Sequence, residues 1–123
     1  MKKEVQVLYF NTRDELVRVD LRRVGYFMAD RNYTDVFFLN GYHVTLPIGM
    51  ASLETMLETV QSKGSTLSFV RIGRSVIVNL SSIVHINVLK QELTLSDMRM
   101  PGVLKVNAPK EALRKLKELY SSK

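Results

Sequence analysis

The sequence predicts a mainly β domain with two helices, and three observations carry that prediction. Short runs rich in Val, Ile, Phe, Tyr and Thr recur at about period two between clusters of Asn, Asp, Gly and Ser. Asn40-Gly41 sits between two such runs, the strongest short-range signal for a hairpin. Only the stretches around Leu53 and Leu116 switch to a helical spacing near 3.6. A chain of 123 residues is long enough to bury one core of its own, so a single domain over residues 1–123 is expected.

Taken in order, Val5, Val7 and Tyr9 alternate with Gln6, Leu8 and Phe10 as an opening strand. Asn11-Thr12-Arg13-Asp14 reads as a turn, and residues 16–19 as a second strand. Asp20-Leu21-Arg22-Arg23 reads as a single helical turn that delivers residues 24–28 into a sheet. Residues 36–39 and 42–46 flank Asn40-Gly41, a pair suited to the positive φ angles of a tight hairpin turn. Ser52 is placed to cap a helix whose Leu53, Met56, Leu57 and Val60 share one face, and Gly64 to end it. The methionines there suit core filling, because the flexible thioether adapts to irregular gaps.

Phe69, Val70 and Ile72 form the next strand, which Gly73 breaks so that Arg74 and Ser75 stand in a polar loop. Residues 83–89 and 93–95 form a second hairpin, Met98-Arg99-Met100-Pro101-Gly102 a loop, and residues 103–106 a last strand. Asn107 is placed to cap a final helix. Its apolar face is Ala112, Leu113, Leu116, Leu119 and Tyr120, opposite Lys110, Arg114, Lys115 and Lys117. No internal repeat, linker or low-complexity segment stands out.

Composition narrows the function. Eighteen Lys+Arg against twelve Asp+Glu give a net charge of +6, which suits a polyanionic partner. With no cysteine, disulfides, thiolate nucleophiles and cysteine-ligated zinc are excluded. No apolar run reaches the length needed to cross a bilayer, so a soluble protein that stays in the cytoplasm, without a membrane partner, is expected. His43 and His85 are the only histidines, each inside a strand run and without His-x-x-His, His-x-Glu or paired-carboxylate spacing. Ser75 has no candidate base nearby in sequence, and the glycines are scattered rather than gathered into a phosphate-cradling loop. No enzyme, cofactor or metal site is expected.

Two blocks carry a resemblance. Phe69, Arg71, Ile72, Arg74, Ser75, Ile77, Val78 and Asn79 match the signature of the LytTR family of bacterial DNA-binding domains, with Gly73 where the family usually has histidine. Tyr26-Phe27-Met28-Ala29-Asp30-Arg31-Asn32-Tyr33 resembles the family's aromatic-rich strand followed by its Asn-Tyr block. Leu53 and Leu57 fall where the family has a leucine-rich helix, and the likeness continues to the C-terminal helix. The resemblance implies an elongated fold of small, mostly antiparallel sheets with one or two short packing helices plus a C-terminal helix. It also implies a transcriptional regulator that binds double-stranded DNA through loops between strands, as response regulators of two-component systems do.

The same resemblance implies three contact regions. In the first, Arg31 is placed to bond a guanine edge or a phosphate and Thr34 to stand exposed, while Asn32 serves either an adenine or its own turn and Tyr33 packs. In the second, Arg74 faces a groove and Ser75 a phosphate, with Arg71 as a contact or an ion-pair partner. In the third, Ala108 and Pro109 replace an expected basic side chain, leaving Lys105 and Lys110 as the cations. Most members carry a phosphoacceptor domain for which 123 residues leave no room, so either a stand-alone regulator or a DNA-binding part working apart from its receiver is expected, with a separate signalling partner and two copies on a repeated site. The rival reading is an interaction module that keeps the fold but has lost specific DNA binding. Convergence of Arg31, Arg74, Lys105 and Lys110 on one face favours DNA, and scatter favours the module.

Overall fold

A computed structural model describes residues 6–62, 68–99 and 102–121. In chain order these form β1 (Val7–Asn11), β2 (Leu16–Asp20), β3 (Val24–Asp30), β4 (Tyr33–Phe38), β5 (His43–Leu46) and α1 (Met50–Ser62). There follow β6 (Phe69–Ile72), β7 (Val76–Asn79), β8 (Ile83–Asn87), β9 (Glu92–Leu95), β10 (Leu104–Asn107) and α2 (Lys110–Ser121). One-turn 3-10 segments, Leu21–Arg23 and Leu80–Ser82, lead into β3 and β8. The sheets run β1-β2, β5-β4-β3-β7-β6 and β10-β9-β8, and every pairing is antiparallel. The mainly β architecture of small sheets is therefore as the sequence predicts.

The described chain is built from two equivalent units. Each runs as a hairpin, a 3-10 turn, a three-strand meander and a helix. Asp20 and Asn79 begin the two turns with nearly identical backbones, φ −82 and ψ 106 against φ −82 and ψ 107, and each side chain accepts from the backbone N–H two residues on. Leu21 N–H donates to the Gln6 carbonyl, and Leu80 N–H to that of Ser68. Both meanders shift register at their start, between Val24 and Tyr26 and between Ile83 and His85. No repeat stands out in the sequence because the matching residues are few: Val19-Asp20-Leu21 and Val78-Asn79-Leu80 anchor otherwise divergent units.

In the five-stranded sheet, alternation sends side chains to two cores. Phe27, Val36, Phe69 and Ile77 pack with Leu53, Leu57 and Val60 of α1, while Tyr26, Val76 and Val78 pack with Leu93, Leu95, Val106, Leu113 and Leu116. The register shift at the start of β3 keeps Val24 on the α1 side with Phe27. Each fully buried leucine contributes about 1.5–3 kcal/mol relative to exposure.

Several boundaries differ from expectation. The Asn40-Gly41 hairpin forms, but only Gly41 takes positive φ. The turn is three residues wide, closed by Gly41 N–H to the Phe38 carbonyl and Phe38 N–H to that of Tyr42, and Asn40 Oδ1 accepts from Tyr42 N–H. Ser52 does not cap α1: the helix begins at Met50, and the Gly49 carbonyl accepts the Leu53 N–H. Asn107 does not cap α2, because it is paired with Glu92 in β10, and the Pro109 carbonyl accepts the Leu113 N–H instead. The expected roles of Val5, Gly64, Met100 and Pro101 lie outside the described residues.

Candidate nucleic-acid interface

Three turns lie side by side at one end of the domain. The β3–β4 turn carries Arg31 and Asn32, and beside it Ala29 N–H donates to the Ser75 carbonyl at 2.8 Å, joining it to the β6–β7 turn of Gly73, Arg74 and Ser75. A Cβ on Gly73 would stand 3.6 Å from the Pro109 Cδ, so the start of α2 is next. Ala108 N–H then donates to the Gln91 carbonyl, bringing in the β8–β9 turn. Arg31, Gly73 and Gln91 all adopt left-handed φ, +58°, +67° and +55°. At Gly73 the room beside Pro109 is ordinary van der Waals space, so it is the backbone angle that favours glycine over a larger residue.

Along this rim Arg31, Arg74, Lys90 and Lys110 are exposed, accompanied by the exposed carboxylates Asp30 and Glu111. The first turn of α2 adds the partial positive charge of a helix N-terminus. Asn32 and Ser75 are exposed, and among the described residues no side-chain hydrogen bond holds Asn32 to its own turn. Lys105 sits two residues back along β10 and leans toward Glu92, Nζ to Oε1 3.5 Å.

Two expectations change. Thr34 is fully buried within β4, and its hydroxyl donates to the Ile48 carbonyl at 3.0 Å, so it offers no exposed contact. Tyr33, expected to pack, is 52% exposed at the rim. Both follow from β4 starting at Tyr33: Thr34 then shares the inward face with Val36, an alternation visible in Thr34-Asp35-Val36. Arg71 takes its structural alternative, with Nη1 2.7 Å from Glu54 Oε1 and Nη2 donating to the Arg74 carbonyl. That pair braces the turn on which Arg74 projects. Lys90 carries no local signal in the sequence; the equivalence of its turn to the Arg31 turn emerges only from the duplicated backbone.

Asn79, the last residue of the block that begins at Phe69, is buried and structural. Its Nδ2 donates to the Val24 carbonyl at 2.9 Å, while Oδ1 accepts from Ser81 N–H and Oγ–H. Among the described residues no three His, Asp or Glu side chains gather to hold a metal, and no helix is long and apolar enough to cross a membrane.

The family model of the LytTr DNA-binding domain matches residues 14–121. No curated protein matches the chain. Among solved structures, a LytTr DNA-binding domain from Bacillus cereus, assigned to a methyl-accepting/DNA response regulator, aligns with TM-score 0.64 at 23% identity, covering 94% of this chain and 96% of that one.

Proposed function

The chain belongs to the LytTr DNA-binding domain family, and from that premise we propose that its turn-bearing rim binds double-stranded DNA in a sequence-specific way to regulate transcription in the cytoplasm. The observation that carries this reading is the adjacency of the turns bearing Arg31 and Arg74 and the helix start bearing Lys110. Arg31, Asn32 and Arg74 supply the side chains that read base edges, because guanidinium and amide groups match the hydrogen-bonding pattern of the major groove. Ser75, Lys90, Lys110 and, at the margin, Lys105 supply phosphate contacts, which set register and affinity without sequence information. Gly73 and Pro109 leave a small, uncharged seam between the Arg74 and Lys110 contacts, which alters the preferred sequence and leaves phosphate binding intact. Two copies on a repeated site give the specificity that one small module lacks. The response-regulator setting of the Bacillus cereus domain supports a separate signalling partner.

Selection from a random duplex library at about physiological salt tests the proposal, since non-specific binding is weak there. An enriched motif, present twice at fixed spacing, is the expected result. A folded protein that enriches no sequence establishes instead an interaction module in which the rim has lost its DNA role.

A further inference from the structure

At the opposite end of the domain the two units enclose a groove of about 760 Å³, whose lining includes Arg18, Arg22, Arg23, Tyr42, Ser82 and Arg99. The seven residues of β3 separate it from the Arg31 turn by about 20 Å, so it stays open when DNA occupies the rim. We infer that this groove binds a small organic phosphate, a site that does not depend on the DNA-binding proposal.

Four arginines, Arg18, Arg22, Arg23 and Arg99, line this groove together with Asp97, and Asp20 stands beside Arg22 and Arg23. Arg22 and Arg23 reach Asp20 at 3.0 and 3.6 Å, yet their side chains remain 62% and 73% exposed and retain donors that face solvent. Among the described residues no carboxylate lies within ion-pair distance of Arg18 or Arg99. Guanidinium forks match the geometry of phosphate oxygens, and several arginines lining one concavity favour a dianion over a single carboxylate. The volume falls in the range of small-molecule sites. An aromatic wall completes it: the Phe38 and Tyr42 rings lie 6.0 Å apart at 28°, and Tyr42 is 63% exposed. That wall gives a planar body a face to stack on, which inorganic phosphate does not need.

The test titrates the full chain with adenosine monophosphate, guanosine monophosphate and glucose 6-phosphate, with inorganic phosphate and oligoglutamate as separate arms, reading melting temperature and heat of binding. A saturable rise in melting temperature with at least one organic phosphate is expected. Arg18→Ala/Arg99→Ala should weaken it at least tenfold while melting like the parent without ligand, and Arg74→Ala/Lys110→Ala should retain it. The inference is overturned if no organic phosphate binds, if the Arg18/Arg99 variant responds like the parent, or if inorganic phosphate binds equally well. Binding of oligoglutamate alone overturns it in favour of an acidic polypeptide partner.

Discussion

The two units share a backbone and differ in the side chain that begins each 3-10 turn. In the first unit Asp20 accepts from Arg22 N–H and is gripped by the Arg22 guanidinium at 3.1 and 3.0 Å, on a side of the domain where both arginines face water. In the second unit Asn79 makes the same turn; both first residues are buried, Asp20 6% and Asn79 1% exposed, but Asn79 ends β7, which lies inside the five-stranded sheet between β3 and β6. A carboxylate there could not donate to the Val24 carbonyl, whereas the amide satisfies both neighbours. The turn geometry is thus common property, and the charge of its first residue follows from what stacks above it.

Exchanging the two residues breaks the comparison in opposite ways. Asn79→Asp has the largest expected effect: it removes the bond to Val24, sets a charge against that carbonyl and leaves the pair without solvent. A loss of about 3 kcal/mol or more is expected, measured by urea denaturation of the folded chain. A variant within about 0.5 kcal/mol of the parent, the range of surface substitutions, would show that the link between the units is not a stabilising bond.

At the other end, the rim joins the units and tests whether they act together. Arg74→Ala should lower affinity for the selected site by about 1–3 kcal/mol with little change in melting temperature. The Arg71 guanidinium bonds the backbone carbonyl of residue 74, which the substitution retains. A large fall in melting temperature would make Arg74 structural. Lys110→Ala, in the second unit, should weaken binding to all sequences alike and reduce the salt slope by about one unit. An unchanged slope removes α2 from the interface.

These positions also show what the sequence makes legible. Arg74 and Arg31 could be read because a break in an apolar strand and a polar turn both leave a local pattern. Thr34 and Tyr33 exchange the roles expected of them because one residue of strand register decides which side chain faces inward. The caps expected at Ser52 and Asn107 do not form, and at Asn107 the reason is related: capping chemistry is local, whereas pairing of Asn107 with Glu92 is a tertiary fact. The duplication was hidden because hydrogen bonds such as those from Leu21 and Leu80 use backbone atoms that leave no mark on composition.

Asp20→Asn, the reverse exchange, has the smallest expected effect. The side-chain hydrogen bond from Arg22 holds the Asp20 carboxyl below its ordinary value of 3.8, against the opposing effect of burial. Because the folded-state value is lowered, the stabilisation is fully present above the unfolded value and is lost as pH falls through the folded one. Asparagine keeps the turn, as Asn79 demonstrates, but gives up the charge, and with Arg22 so exposed the cost at neutral pH is less than about 1 kcal/mol. The stability gap between parent and variant should hold steady from pH 7 to about pH 5 and close below about pH 4, near the reference carboxylate value. A gap that persists in acid would mean that Asp20 stabilises its turn by shape and not by charge, and that the two units differ less than their first residues imply.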